Sequence, residues 1–147
     1  MAALRHLAAI RTRLLSSPGL VAILAVTPAP DSQPAIYLGN VFQDPNFEVH
    51  YPCISIMQPD GQRARWAPKL WDPARVQLDF YSKTDQFQPA TMAEYAEDLL
   101  HMDKTRTSTS EACFHDIAEQ FSNTAYWDGD TNAWRQTAIY LVRVSTH

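Results

Sequence analysis

The stretch Trp134-Arg-Gln-Thr-Ala-Ile-Tyr-Leu-Val-Arg-Val-Ser145, entered through the polar turn Asp128-Gly-Asp-Thr-Asn132, demands a sheet able to seat one long strand. Strand alternation puts Trp134, Ala138, Tyr140, Val142 and Val144 on one face, interrupted by Gln136. Arg135, Thr137, Arg143 and Ser145 share the other face with Ile139 and Leu141. Neither set is purely polar. A strand with apolar residues on both sides predicts a sheet that packs helices on one face and meets a partner on the other. Ile139 and Leu141 are therefore candidate contact residues.

Two further segments alternate. Cys53-Ile-Ser-Ile-Met57 sets Cys53, Ser55 and Met57 opposite Ile54 and Ile56, and Arg75-Val-Gln-Leu-Asp-Phe-Tyr-Ser82 sets Val76, Leu78 and Phe80 against Gln77 and Asp79. They read as an antiparallel pair. Ile36-Tyr37-Leu38 is a candidate short strand. Residues 113–121 fit either helix or bent strand; the expectation taken is a strand that turns through residues 128–132 onto the final strand. Helical spacing of Ala3, Leu7, Ile10 and Leu14 predicts an amphipathic first helix. Ser17 is placed to cap a second short helix with Pro18 at its first position. Thr91-Met-Ala-Glu94 has the form of a capping box, followed by Tyr95, Ala96, Leu99 and Leu100 at helical spacing. The prolines of residues 27–34 predict an extended connector. Phe42, Phe47 and Tyr51 predict an ordered loop, because aromatic rings need apolar cover. The expected class is α+β: a single domain over 1–147 with a small, mostly antiparallel sheet of about four strands, packed by two or three helices in the order α-α-β-β-α-β-β.

The 147 residues are enough for one sizeable core without metal or disulfide staples. A net charge of −4 disfavours a surface built to grip nucleic acid, which needs a clustered basic patch. Cys53 and Cys113 form no close pair, so free buried thiols are expected. Residues 1–20 hold Arg5, Arg11 and Arg13 without an acid, a composition shared with mitochondrial transit peptides, but the helical stripe explains it without cleavage. No apolar run reaches the roughly 20 residues of a membrane span, and no membrane partner is expected.

Chemistry-bearing motifs are sparse. Asp128, Asp130 and Asn132 imitate the start of a calcium loop, yet Ala133 stands where glycine must turn and Ile139 where the bidentate acid belongs. Cys113 and His115 lack a second ligand pair. His50 and Asp44 have no nucleophile elbow to serve at Ser55 or Cys53, and four scattered glycines build no phosphate cradle. No catalytic residue, metal ligand or cofactor is assigned, and the expectation is a protein that is not an enzyme. Binding residues concentrate in long loops, and residues 62–73 carry Trp66, Trp71, Arg63, Arg65 and Lys69, aromatic and basic types that recur at interface hot spots.

The succession of the 7–15 helix, Ser17-Pro-Gly-Leu-Val-Ala-Ile-Leu24, the Tyr51-Pro52 dipeptide before a hydrophobic strand, Val76-Gln-Leu-Asp-Phe-Tyr-Ser82, the 92–100 helix and Trp134-Arg-Gln-Thr-Ala-Ile-Tyr-Leu-Val-Arg143 resembles the tail terminator, or tail completion, proteins of long-tailed bacteriophages. The connector at 27–34 and the loop at 62–73 look longer than that family's compact forms, which keeps a neighbouring neck protein as an alternative. The resemblance implies a structural virion protein in the tail or neck, assembled in the host cytoplasm. It implies a homo-oligomeric ring, usually hexameric, that stops polymerisation of the tail tube protein and receives the head completion or connector protein, with DNA passing through without sequence-specific binding. On that reading Trp66, Trp71, Ile139 and Leu141 would be contact residues, and Arg63, Arg65 and Lys69 would face the lumen or lie on loops. Two readings of other classes are a small cytosolic enzyme or ligand-binding domain, and an organelle-targeted accessory protein.

Overall fold

In the computed structural model, which describes residues 5–39, 41–58, 73–101 and 112–146, three helices lie on one face of a six-stranded sheet. The chain runs α1 (Arg5–Leu15), α2 (Pro18–Ile23), β1 (Ile36–Leu38), a 3-10 turn (Val41–Gln43), β2 (Cys53–Met57), β3 (Pro73–Ser82), α3 (Phe87–Leu100), β4 (Ala112–Ser122), β5 (Tyr126–Asp128) and β6 (Ala133–Thr146). The strand order is β1-β2-β3-β6-β4, with β5 also on β6. Among the described strand pairs only β1 on β2 is parallel.

The α+β expectation holds, with two more strands than the four foreseen. The candidate strand at Ile36 does form, and the partner of β6 is divided in two. β4 and β5 lie along the same side of β6, with Ser122 opposite Ala138 and Tyr126 opposite Arg135. That spacing leaves an extra residue on the β4–β5 side, and Asn123 bridges the break: its N–H donates to the Thr137 carbonyl and its Oδ1 accepts the Thr137 N–H. The hairpin onto the final strand turns through residues 129–132, where Asn132 takes φ +53°, a conformation asparagine tolerates.

Alternation decides what the helices cover. Ile54 and Ile56 from β2, Val76, Leu78 and Phe80 from β3, and Ala138, Tyr140 and Val142 from β6 form one buried cluster with Leu7, Ile10 and Leu14 of α1, Leu20 of α2 and Met92, Ala96 and Leu100 of α3. Each large side chain hidden this way contributes about 1.5–3 kcal/mol. Ser17 caps α2 as expected, its hydroxyl accepting the Leu20 N–H at 3.3 Å.

Two local expectations are corrected. The 27–34 segment does not simply extend: Val26 bridges Pro34, and the Thr27 N–H donates to the Gln33 carbonyl at 2.8 Å, so the prolines occupy a doubled-back excursion. Nor does Thr91 start a helix. α3 begins at Phe87, because the Asp85 carboxylate accepts the N–H groups of Phe87 and Gln88 at 2.9 and 2.8 Å. Pro89 fits the first turn, where its missing donor costs nothing. Thr91 lies inside, its hydroxyl donating to the Phe87 carbonyl. Asp85→Ala should therefore lower stability in urea unfolding by about 1 kcal/mol, whereas Thr91→Ala should be neutral or stabilising by a few tenths of a kcal/mol. A capping box at Thr91 would reverse that order.

Candidate partner-docking face

The sheet face turned away from the helices divides into a closed end, a polar centre and an open end. At the closed end Cys53, Tyr81, Ala133 and Ala35 are buried beneath the 41–51 loop, against Phe42, Val49 and Tyr51. Phe42 and Tyr81 rings stand 4.6 Å apart, and Phe47 meets Tyr37 edge-on at 5.3 Å. The aromatic residues of this loop thus cover the domain's own sheet, as their composition predicted. The loop springs from Gly39, whose φ of +86° suits glycine and whose carbonyl accepts the Ser55 hydroxyl at 2.9 Å.

At the centre lies Asp79, fully buried. Its Oδ1 accepts the Thr137 hydroxyl at 2.6 Å, Gln77 Nε2 donates to both oxygens at 3.0–3.2 Å, and Arg135 Nη2 donates to Oδ2 at 3.2 Å. Arg135 also reaches Asp128 at 3.4 Å and lies over the Tyr81 ring at 5.6 Å. Burial works against the charge on Arg135, but the Asp79 carboxylate, Tyr81, Tyr126 and the hydrogen bond to Asp79 together more than offset it and hold the guanidinium protonated. A carboxylate so enclosed persists only because each oxygen has its donors.

Beyond this cluster the face opens. Ile139 and Leu141 follow Thr137 on β6 with the alternation that leaves Ala138, Tyr140 and Val142 to the helices, and both are half-buried. Gln77 and Phe121 flank Ile139 in register, and Arg75 lies beside Leu141. Phe121 is 51% exposed. An apolar row on a sheet face, rimmed by Gln77 and Arg75, has the composition of a contact surface. Ile139 and Leu141 are thus brought together on this face. Trp66, Trp71, Arg63, Arg65 and Lys69 lie outside the described residues, although the chain that carries them re-enters the sheet at Pro73, opposite Arg143 and one pair beyond Ala74–Val142.

Sequence reasoning left three features unassigned. The sequence pattern puts Phe121 in a strand, and only its register against Ile139 brings it to the contact face. Tyr126 and Trp127 are exposed at the hairpin, with Trp127 meeting Trp134 edge-on at 5.5 Å. The Asp79 cluster joins residues more than fifty positions apart and has no local signature. The Asp128-Gly-Asp turn is a hairpin turn, with Asp128 engaged by the Asp130 N–H and Arg135. Among the described residues no group of three His, Cys, Asp or Glu is arranged to hold a metal. Cys53 is a free, buried thiol. A cleft of about 450 Å³ runs between the 27–34 excursion and the 47–50 segment, lined in part by Arg11, Tyr37 and His50. The Arg11 guanidinium there is engaged by the Ile36 carbonyl and by Gln33.

No protein-family model matches this chain, and no curated protein matches it. Among solved structures, it is similar to a chain of the virion of a native gene transfer agent particle, at 13% sequence identity and a TM-score of 0.61, over 94% of this chain and 92% of that one. At this identity the likeness establishes a shared fold over nearly the full length of both chains.

The closed end and the polar centre each carry a testable outcome. Asp79→Ala should cost about 3 kcal/mol in urea unfolding, since it removes the acceptor shared by Thr137, Gln77 and Arg135 and leaves the half-buried guanidinium with Asp128 alone. At high pH, burial raises the Tyr51 phenol from 10.0 to about 12, with smaller contributions from Cys53, Tyr37 and Asp128. Burial likewise raises Tyr37, Tyr81 and the Cys53 thiol. All four prefer their protonated forms in the fold, so the unfolded chain ionises first and stability falls as pH rises through the ordinary thiol and phenol values. The urea midpoint should stay level from neutrality to about pH 8 and then drop, with the phenolate absorbance of Tyr37, Tyr51 and Tyr81 appearing together with unfolding. Complete phenolate formation in a still-folded protein near the ordinary phenol value would contradict this.

Proposed function

We propose that this chain is a structural component of a phage-like virion, and within that class a tail terminator. In this reading its subunits close a ring, hexameric in the resembled family, at the head-proximal end of the tail tube, where it ends tube growth and joins the tail to the head connector. The observation that carries the proposal is the fold likeness, over nearly the whole of both chains, to a chain of a virion particle. The half-open sheet face adds physical support. A head-to-tail contact closes into a ring only when its rotation closes, and a subunit that ends a tube must present one surface to the tube and a different one to the head connector. A stable contact of this kind buries on the order of 1,200–2,000 Å². Ile139, Leu141 and Phe121 would form part of it, near the point where the chain re-enters the sheet at Pro73.

The partners on this reading are further copies of the chain, the tail tube protein and the head completion or connector protein, and the protein resides in the virion tail or neck. DNA passes through the ring, a role compatible with a net charge of −4. The protein is no enzyme and needs no cofactor. A different neck protein remains the nearest alternative and predicts rings or bound subunits at the connector rather than on tube ends. A small-ligand domain would instead use the cleft beside Arg11 and His50.

Negative-stain imaging of the purified protein mixed with tail tubes should show rings on tube ends, and native mass spectrometry should count the subunits. A species that stays monomeric with tubes present removes the proposal. Leu141→Lys should abolish tube capping at micromolar concentration while costing about 1 kcal/mol or less of subunit stability, as expected of a surface change. Equal loss of both would assign Leu141 to the fold alone.

A further inference from the structure

A second exposed apolar patch lies at the far end of β6 from Leu141. On β5, Tyr126 is 42% and Trp127 51% exposed, and as consecutive strand residues they point to opposite faces, so the hairpin is aromatic on both sides. Loop tips ordinarily carry small polar residues, whereas exposed tryptophan is enriched at interface hot spots. The tip is also held stiffly. Trp127 rests edge-on against Trp134, and the Asp128 carboxylate accepts the Asp130 N–H at 3.0 Å and reaches Arg135 at 3.4 Å. A ring presented in one fixed position loses little freedom when it binds. Trp134 pairs with Ser82 while Ile139 pairs with Gln77. That five-residue step along β6 is about 17 Å at the rise of an extended strand. The hairpin patch and the open row are therefore separate surfaces.

Their charges differ in sign. The tip carries the exposed carboxylate of Asp130, and the rim of the open row carries the exposed guanidinium of Arg75 beside Leu141. Tip against tip, or row against row, would bring like charges together; tip against row brings opposite ones together. We propose that the hairpin tip of one copy seats on the open row of the next, Trp127 and Tyr126 against Ile139, Leu141 and Phe121, with Asp130 toward Arg75. Two different patches of the same chain meet in this contact, so it is head-to-tail, the class from which rings are built. The inference rests on the reading of the chain as a ring-forming virion subunit and assigns the contact that joins neighbouring subunits.

Photo-cross-linking between isotopically light and heavy copies reads the contact in the assembled state. Light copies with p-benzoylphenylalanine in place of Trp127 are mixed with unaltered heavy copies and tail tubes, then irradiated. Light–heavy dimers should form, with the link mapped by mass spectrometry to Gln77, Phe121 or residues 139–141 of the heavy copy. Their yield should fall about tenfold when the heavy copies carry Leu141→Lys, and should persist when only the light copies carry it. A second preparation with the probe at Tyr126 should link to the same row, which covers the case in which position 127 does not tolerate the probe. With tubes still capped, the absence of light–heavy links, links to the heavy copy's hairpin, or an equal fall in both mixtures would overturn the contact and leave the virion reading standing. Loss of both capping and self-association in the unaltered protein would remove the two together.

Discussion

The contact between Asp79 and its donors governs how the sheet is used. A carboxylate with no solvent exposure sits in the middle of the face that the helices leave uncovered, held by Thr137, Gln77 and Arg135. Stranded there without donors it would cost several kcal/mol. Its partners lie on β3 and β6, so satisfying it sets the register of the two central strands, Asp79 opposite Thr137. That register delivers Phe80 and Ala138 to the helix layer and leaves Gln77 and Ile139 together on the other side.

The same cluster separates two environments. On one side of it the 41–51 loop seals Cys53 and Tyr81 under aromatic rings. On the other the sheet carries Ile139, Leu141 and Phe121 with no comparable cover among the described residues, and β4 ends the strand order there. A domain with a complete hydrophobic core that still presents an apolar row is suited to contact with other protein surfaces. That property, together with the fold it shares with a virion chain, underlies the proposal of a ring-forming tail protein.

Period-two alternation made much of this legible. Residues 53–57, 75–82 and 134–142 divide between the two faces as the pattern requires, because each strand has one face against helices and a misplaced register would bury its polar set. The 113–121 segment was ambiguous for a physical reason: irregularities at 114–116 and 119–121 break the alternation, so Phe114, Ile117 and Phe121 also fall at helical spacing. The start of α3 is not legible from a Thr-x-x-Glu pattern, which is equally compatible with a helix interior, while the effective cap, Asp85, stands before Gln86 and a proline-containing first turn. The Asp79 cluster could not be seen at all, since strand pairing alone brings its members together. Of the candidate contact residues, Ile139 and Leu141 were legible from two apolar positions on an otherwise polar strand face, and Phe121 joined them only through register.

Hydrogen exchange of the protein before and after it meets tail tubes tests the central claim most directly, because it maps the covered surface without altering a residue. Protection is expected around 139–141 of β6 and around Phe121 of β4, with the solvent side of α3 unchanged. Protection on α3 with the open end of the sheet unaffected would contradict the account.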